Sequence, residues 1–248
     1  MELTQFFLQN PRAAIAFSGG VDSSYLLYAA LQAGAKVRAY YVKTAFQPQF
    51  ELDDARRLAR ELSADMTVIE ADVLSHREVT DNPPDRCYHC KRVIFGKIAA
   101  AAAADGFSLL LDGTNASDEE GDRPGMRALR ELAVRSPLRE CGLTKAEIRR
   151  RSREAGLFTW DKPAYACLAT RIPTGEPITA ENLKATEKAE GFLFSLGFRD
   201  FRVRRMGSAA KLQLRQEQFE KALAERKTIL AALKEDYSAV LLDLEERT

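Results

Sequence analysis

The sequence predicts an α/β fold: a parallel sheet covered by helices on both faces, followed by a small α+β domain. Three observations carry that prediction. Short apolar runs alternate with helical patterns through the first half of the chain, the order that builds βαβ units. A glycine- and serine-rich loop, "FSGGVDSS" at 17–24, joins the first apolar run to the first helical one. After a turn-rich, proline-rich segment at 160–179 the order changes to α-β-β-α-β.

The elements follow in turn. "AAIAF" (13–17) reads as a buried strand and 23–35 as the helix after it. "KVRAYYV" (36–42) is a second strand; 51–64 is an amphipathic helix with Leu52, Ala55, Leu58, Ala59 and Leu62 on one face. "MTVIEA" (66–71) is a third strand, 91–106 a helix, and "FSLLLDG" (107–113) a fourth strand. The alanine run 99–104 suits a helix packed close to a sheet, because alanine has the highest helix propensity. The helix in 142–157 opens on Thr144 with Glu147 three residues on, a capping box. Beyond it lie a helix at 180–196, strands at 200–205 and 209–215, a helix at 216–234 and a strand at 237–243. The domains are accordingly divided as 1–175 and 176–248.

Composition narrows the class. The chain has 248 residues, enough for a real core, and 37 basic against 36 acidic residues leave a net charge of +1. That balance argues against nucleic acid as the main partner. No signal-like start and no run of roughly 20 apolar residues is present, so neither secretion nor a membrane is indicated and a cytoplasmic location is expected. Four cysteines in such a chain are thiols or metal ligands rather than disulfides.

The loop at 17–24 carries the chemistry. Gly19 and Gly20 permit a tight turn and close backbone approach. The amides at the following helix N-terminus form an anion cradle, to which Ser18 and Ser23 add hydroxyl donors. Asp22 is a carboxylate where phosphate should sit, which makes sense if it holds a Mg²⁺ ion that neutralises a polyphosphate. The loop is not a Walker sequence. S-G-G-V-D-S after the first strand resembles the PP-loop of the ATP pyrophosphatase superfamily, the adenine nucleotide alpha-hydrolase-like fold. The resemblance implies cleavage of ATP between its α and β phosphates and attachment of AMP to a carbonyl or carboxyl oxygen.

Further segments narrow the branch. "NPPDRCYHCK" (82–91), "DGTNASD" (112–118), "RPGMRALRELAVRSPL" (123–138), "GLTKAEIR" (142–149) and "WDKPAYACLATRIPTGEPIT" (160–179) together resemble the LarE family over nearly the whole chain. These are sulfur transferases in the biosynthesis of the nickel-pincer nucleotide cofactor. The resemblance implies a pyridinium-3,5-biscarboxylic acid mononucleotide substrate, ATP and Mg²⁺, and a homo-oligomer built through the C-terminal domain. Cys167 matches the family's sulfur-bearing cysteine, and the nearby charges of Lys162 and Arg171 favour its thiolate. Attack on an acyl adenylate followed by elimination would leave dehydroalanine, one sulfur spent per chain. Cys87 and Cys90 with Cys167 make three thiolates. That set matches the branch in which a [4Fe–4S] cluster with one open iron delivers the sulfur.

Zinc and a dithiol redox pair are the alternatives for Cys87 and Cys90; His89 reads as a surface residue and Cys141 as structural. Glu190 matches a family position near the reaction centre and is a candidate acceptor for the proton lost in elimination. Lys91, Lys162, Arg202 and Arg204 are candidate contacts to substrate or phosphate, the last two on one face of a strand. Arg171, four residues past Cys167 in the matching motif, is a stronger candidate than either lysine and a catalytic one. Asp112 and Asn115 fall at a strand C-terminus, where open α/β sheets bind ligands. The acidic cluster 118–122 reads as solvated in preference to Mg²⁺-binding. Met206 and Gln213 stand where the family commonly has His and Glu, which weakens any metal site in the second domain. Competing readings are an amide-forming PP-loop ligase, a tRNA thiolase, and a nucleotide sensor that uses the C-x-x-C without turnover.

Overall fold

The computed structural model describes residues 2–118 and 124–247. Four parallel strands form the first sheet: β1 (Arg12–Ala16), β2 (Lys36–Lys43), β3 (Met66–Glu70) and β4 (Leu110–Leu111), in the order β3-β2-β1-β4. The order reverses direction between β1 and β4, and ligands bind at such a switch point, outside the strand C-termini. The fourth strand is shorter than the expected 107–113. The chain turns at Asp112, whose amide is taken by Arg135 O at 2.9 Å, and Arg135 also bridges Leu111 in parallel.

Helix α1 (Leu3–Gln9) was not foreseen. It buries Phe6 and Phe7 against α2 (Val21–Gln32) and shares one core with α3 (Gln49–Glu61). The other face of the sheet is covered after α4 (Arg77–Thr80) by α5 (Arg86–Ala104), which packs Phe95, Ile98 and Ala102 near Tyr40 and Leu110. This helix starts at Arg86 rather than 91, so Cys87 and Cys90 lie in its opening turns. Helices α6 (Pro124–Glu131) and α7 (Pro137–Glu140) fill a stretch that had no predicted element. Helix α8 (Lys145–Glu154) opens on Thr144, whose Oγ1 accepts from Glu147 N at 3.3 Å, as the capping pattern predicted.

The second sheet is three-stranded, β5 (Arg202–Met206), β6 (Ala209–Gln213) and β7 (Val240–Leu242), with β5/β6 antiparallel and β6/β7 parallel. Helix α9 (Ala180–Ser195) supplies Ala189 and Leu193 to a core with Phe198, Phe201, Val203 and Leu212. The expected single helix 216–234 is a 3-10 turn (Gln216–Gln218) followed by α10 (Phe219–Ala224) and α11 (Arg226–Leu233).

Two compact units result, and they divide the chain differently from 1–175 and 176–248. One comprises Met1–Val73 and Asp85–Tyr165; the other comprises Leu74–Pro84 and Ala166–Thr248. Segment 74–84 belongs to the second unit because Asn82 is fully buried there. Its Nδ2 donates to Pro173 O (2.7 Å) and Glu176 O (3.1 Å), while Gly175 N donates to Asn82 O (2.9 Å). Among the described residues no helix is long and apolar enough to cross a membrane.

Candidate active site

In the first unit, a cavity of about 350 Å³ lies at the C-terminal ends of β1, β2 and β4, within the size range of small-molecule pockets. The 17–24 loop forms one side. Gly19 takes φ +71°, and a side chain there would meet Ala55 of α3 at 3.1–3.2 Å, so both conformation and space demand glycine. The Ser18 and Ser23 hydroxyls lie 3.1 Å apart; Ser23 Oγ accepts from Ser18 N at 3.2 Å and donates to Gly20 O at 3.2 Å. These bonds tie the loop to the first turn of α2 and line the cavity with hydroxyls. Gly113 closes in from β4: a Cβ there would stand 2.9 Å from Ser23 N.

Asp22 lines the cavity beside them. Its Oδ2 accepts from Lys145 Nζ at 2.5 Å and its Oδ1 from Asn115 Nδ2 at 3.4 Å. Burial pushes the Asp22 carboxyl above its ordinary range, while the Lys145 ammonium opposes that shift. Asp118 also lines the cavity; the rest of the 118–122 cluster lies outside the described residues. Oxygen donors of this kind suit Mg²⁺, which is usually held by one or two carboxylates plus substrate phosphates. Asp112 is occupied in shaping the turn, accepting from Thr114 Oγ1 (2.5 Å) and Ser136 Oγ (2.6 Å). Across the cavity, Lys91 stands with Ile94, Phe95 and Ile98 of α5, and burial lowers the pKa of its ammonium.

The remaining predicted residues distribute unevenly. Lys162 does not line the cavity; it pairs with Asp54 of α3 at 2.7 Å, near the Phe50 ring. Arg149 holds the same segment by donating to Trp160 O (2.6 Å) and Lys162 O (2.8 Å). Cys87 is exposed and Cys90 half-buried. Arg86 Nη2 stands 3.9 Å from Cys87 Sγ, and His89 pairs with Asp85 at 3.3 Å. Cys141 is half-buried at the end of α7, where burial pushes its thiol pKa up.

In the second unit, half-buried Cys167 precedes a 3-10 turn, Leu168–Arg171. Arg171, fully buried, forms a bidentate pair with Glu190 at 2.8 and 3.0 Å. Its Nη1 donates to Ala166 O (2.7 Å), Thr170 Oγ1 (2.8 Å) and Cys167 O (3.3 Å). Glu190 Oε1 also accepts from Val203 N at 2.9 Å. The expected proton acceptor is therefore a buried carboxylate whose two oxygens hold a guanidinium and a strand amide. Arg204 donates to Thr170 O (2.6 Å) and Gln213 Oε1 (2.5 Å); burial, then neighbouring Arg171, lowers its pKa. Arg202 is buried, with Nη1 on Phe201 O at 2.6 Å. Gln213, at the family's Glu place, bridges Arg204 to Asp243 (2.9 Å).

The [4Fe–4S] expectation finds no assembled ligand set. Among the described residues no three His, Cys, Asp or Glu side chains are grouped to hold a metal ion. Cys87 and Cys90 belong to the first unit and Cys167 to the second. Sequence reasoning missed Lys145, Gly113, Asp54 and Asn82. Lys145 had a local signal, its place just after the Thr144 cap, but nothing local links it to a carboxylate 123 residues away.

The chain is similar to several known proteins. The family model "Queuosine biosynthesis protein QueC" matches residues 12–82, the stretch that contains the loop. An uncharacterized protein, slr1717, from Synechocystis is 37% identical over 88% of this chain and 82% of its own length. The pyridinium-3,5-bisthiocarboxylic acid mononucleotide synthase of Lactiplantibacillus plantarum is 35% identical over 82% of this chain and 74% of its own length. A tRNA-specific 2-thiouridylase, MnmA, of Thermotoga maritima is 26% identical over 61% of this chain and 54% of its own length. The parallel-sheet domain, its loop and the relationship to the Lactiplantibacillus synthase place the chain in the LarE family of ATP-dependent, PP-loop sulfur transferases.

Proposed function

We propose that the chain adenylates a carboxylate of pyridinium-3,5-biscarboxylic acid mononucleotide with Mg²⁺-ATP and replaces oxygen by sulfur, a step toward the nickel-pincer nucleotide cofactor. The observation that carries this reading is the cavity at the strand C-termini, where Ser18 and Ser23 of the glycine-rich loop line the wall beside Asp22. ATP brings a polyphosphate and Mg²⁺ brings the charge that lets it sit beside Asp22 and Asp118. Lys91 is the cavity cation suited to the α-phosphate or the carboxylate under attack.

Cys167 is the proposed nucleophile of the thiol step. Its turn is held by Arg171 rather than left mobile, so the thiol is presented at a fixed place, as nucleophilic catalysis requires. In this reading Arg171 and Glu190 position the turn, and Arg204 supplies a positive charge with neutral partners for the substrate phosphate. For the sulfur source, the three-cysteine [4Fe–4S] route and the sacrifice of Cys167 sulfur are the two readings. A homo-oligomer is supported by Leu223, Leu241 and Leu244, exposed on the second unit, where β7, among the described residues, pairs on one side only.

The test is turnover with ATP and the pyridinium substrate. Cys167→Ser should retain pyrophosphate release and lose thiocarboxylate; loss of neither product refutes the role of Cys167. Iron analysis of anaerobically prepared protein, with the mass of the chain after turnover, separates the sources. Bound iron and an unchanged chain mass indicate the cluster. A loss of about 34 Da, the mass of H₂S removed when cysteine becomes dehydroalanine, indicates sacrifice.

A further inference from the structure

We propose that Lys145 is a nucleotide-site residue that exchanges partners: its ammonium neutralises Asp22 before nucleotide binds, then yields that carboxylate to Mg²⁺ and moves onto the polyphosphate. The inference rests on the nucleotide reading of the cavity and adds a residue to it.

Charge demands such a cation. Among the described residues the cavity lining carries four carboxylates, Asp22, Glu51, Asp112 and Asp118, against one ammonium, Lys91. A nucleoside triphosphate adds further negative charge, so its entry requires more positive charge than that lining supplies. Lys145 is placed to contribute it. Its ammonium is 2.5 Å from Asp22 Oδ2, and the side chains of Lys145 and Asp22 keep partial exposure, 34% and 22%, so the pair is not sealed in. A pair that solvent still reaches can exchange partners when a stronger ligand arrives.

The backbone of Lys145, by contrast, is fixed. Lys145 N donates to Ser117 Oγ at 2.9 Å, Ala116 N donates to Leu143 O at 2.8 Å, and Thr144 caps the helix. A flexible four-carbon stem on a fixed anchor, ending in a compact charge with three donors, can follow a phosphate over a few ångströms. Mg²⁺ has the stronger claim on Asp22, because a divalent ion with oxygen ligands displaces a monovalent ammonium from a carboxylate. The exchange costs no unpaired charge at either end.

The experiment is calorimetric titration of α,β-methylene-ATP, at saturating Mg²⁺ and as a function of Mg²⁺ concentration. Lys145→Gln should weaken analogue binding about tenfold at saturating Mg²⁺, the loss of one charge-assisted hydrogen bond. The same substitution should lower the Mg²⁺ concentration needed for half-maximal binding, because the resident competitor is gone. Lys145→Arg should keep the analogue affinity within about threefold, since the charge remains. Thermal melting of both variants checks that the unit is folded. Unchanged affinity in Lys145→Gln, or an unchanged Mg²⁺ midpoint, overturns the exchange. Asp22→Ala run alongside separates the two levels: if it binds the analogue as the parent does, the nucleotide reading of the loop fails. If it loses binding while Lys145→Gln does not change, only the exchange fails.

Discussion

Two carboxylates, Asp22 in the first unit and Glu190 in the second, are both bound to cations, yet they are held in opposite ways. Asp22 has one ammonium on one oxygen and a long amide contact on the other, and its side chain is 22% exposed. Glu190 is 1% exposed and gives both oxygens to the Arg171 fork, one of them also to Val203 N. The carboxylate proposed to meet Mg²⁺ keeps a single ammonium partner in reach of solvent. The one proposed to position the Cys167 turn is saturated and sealed.

That contrast can be broken first at the sealed pair. Glu190→Gln should cost about 3–5 kcal/mol, because it leaves the Arg171 charge buried without its counter-ion. The melting transition of the second unit should then fall by roughly 12 °C or more, measured by scanning calorimetry. Pyrophosphate release from ATP should fall less than thiocarboxylate formation, since the damage lies at the Cys167 turn. A variant with the parent's stability and a pH profile shifted by loss of a base would return Glu190 to the proton-accepting role.

A smaller effect is expected where the first unit relies on close backbone approach. Gly113→Ala puts a methyl 2.9 Å from Ser23 N, so the cradle must widen. Nucleotide affinity should drop about tenfold or more, with a stability cost of about 1–3 kcal/mol. Equal affinity would show that Gly113 does not shape the cradle. The least effect belongs to the pair of Lys162 with Asp54. Asp54→Asn should change stability by no more than about 1 kcal/mol, as partly exposed pairs do, and leave pyrophosphate release intact. A large loss of pyrophosphate release would restore Lys162 to the phosphate-contact role expected from sequence.

The first unit was more legible in sequence than the second, for a physical reason. A PP-loop is local: Ser18, Gly19, Gly20, Asp22 and Ser23 fall within six consecutive positions, so the turn and the helix start that follows it can be read from neighbouring residues. Strand and helix periods around it are equally local, and they placed β1 to β3 within a residue or so. The turn at Cys167 and its surroundings depend on long-range bonds. Asn82 reaches segment 173–176, and Arg171 reaches Glu190 on another helix. No spacing rule announces that an arginine will be fully buried, and exposure is the ordinary fate of that residue type. For the same reason Arg204 could be placed on a strand face, whereas its partners Thr170 and Gln213 could not be foreseen.

Adenylation at the 17–24 loop is decided by measuring AMP and pyrophosphate formed from ATP by Asp22→Ala, with the pyridinium substrate present. Both products should disappear while the melting temperature stays within a few degrees of the parent's, because the Asp22–Lys145 pair is partly exposed and the substitution also relieves the burial of a carboxylate. AMP formation at the parent's rate would refute adenylation at this loop and take Asp22 out of the chemistry.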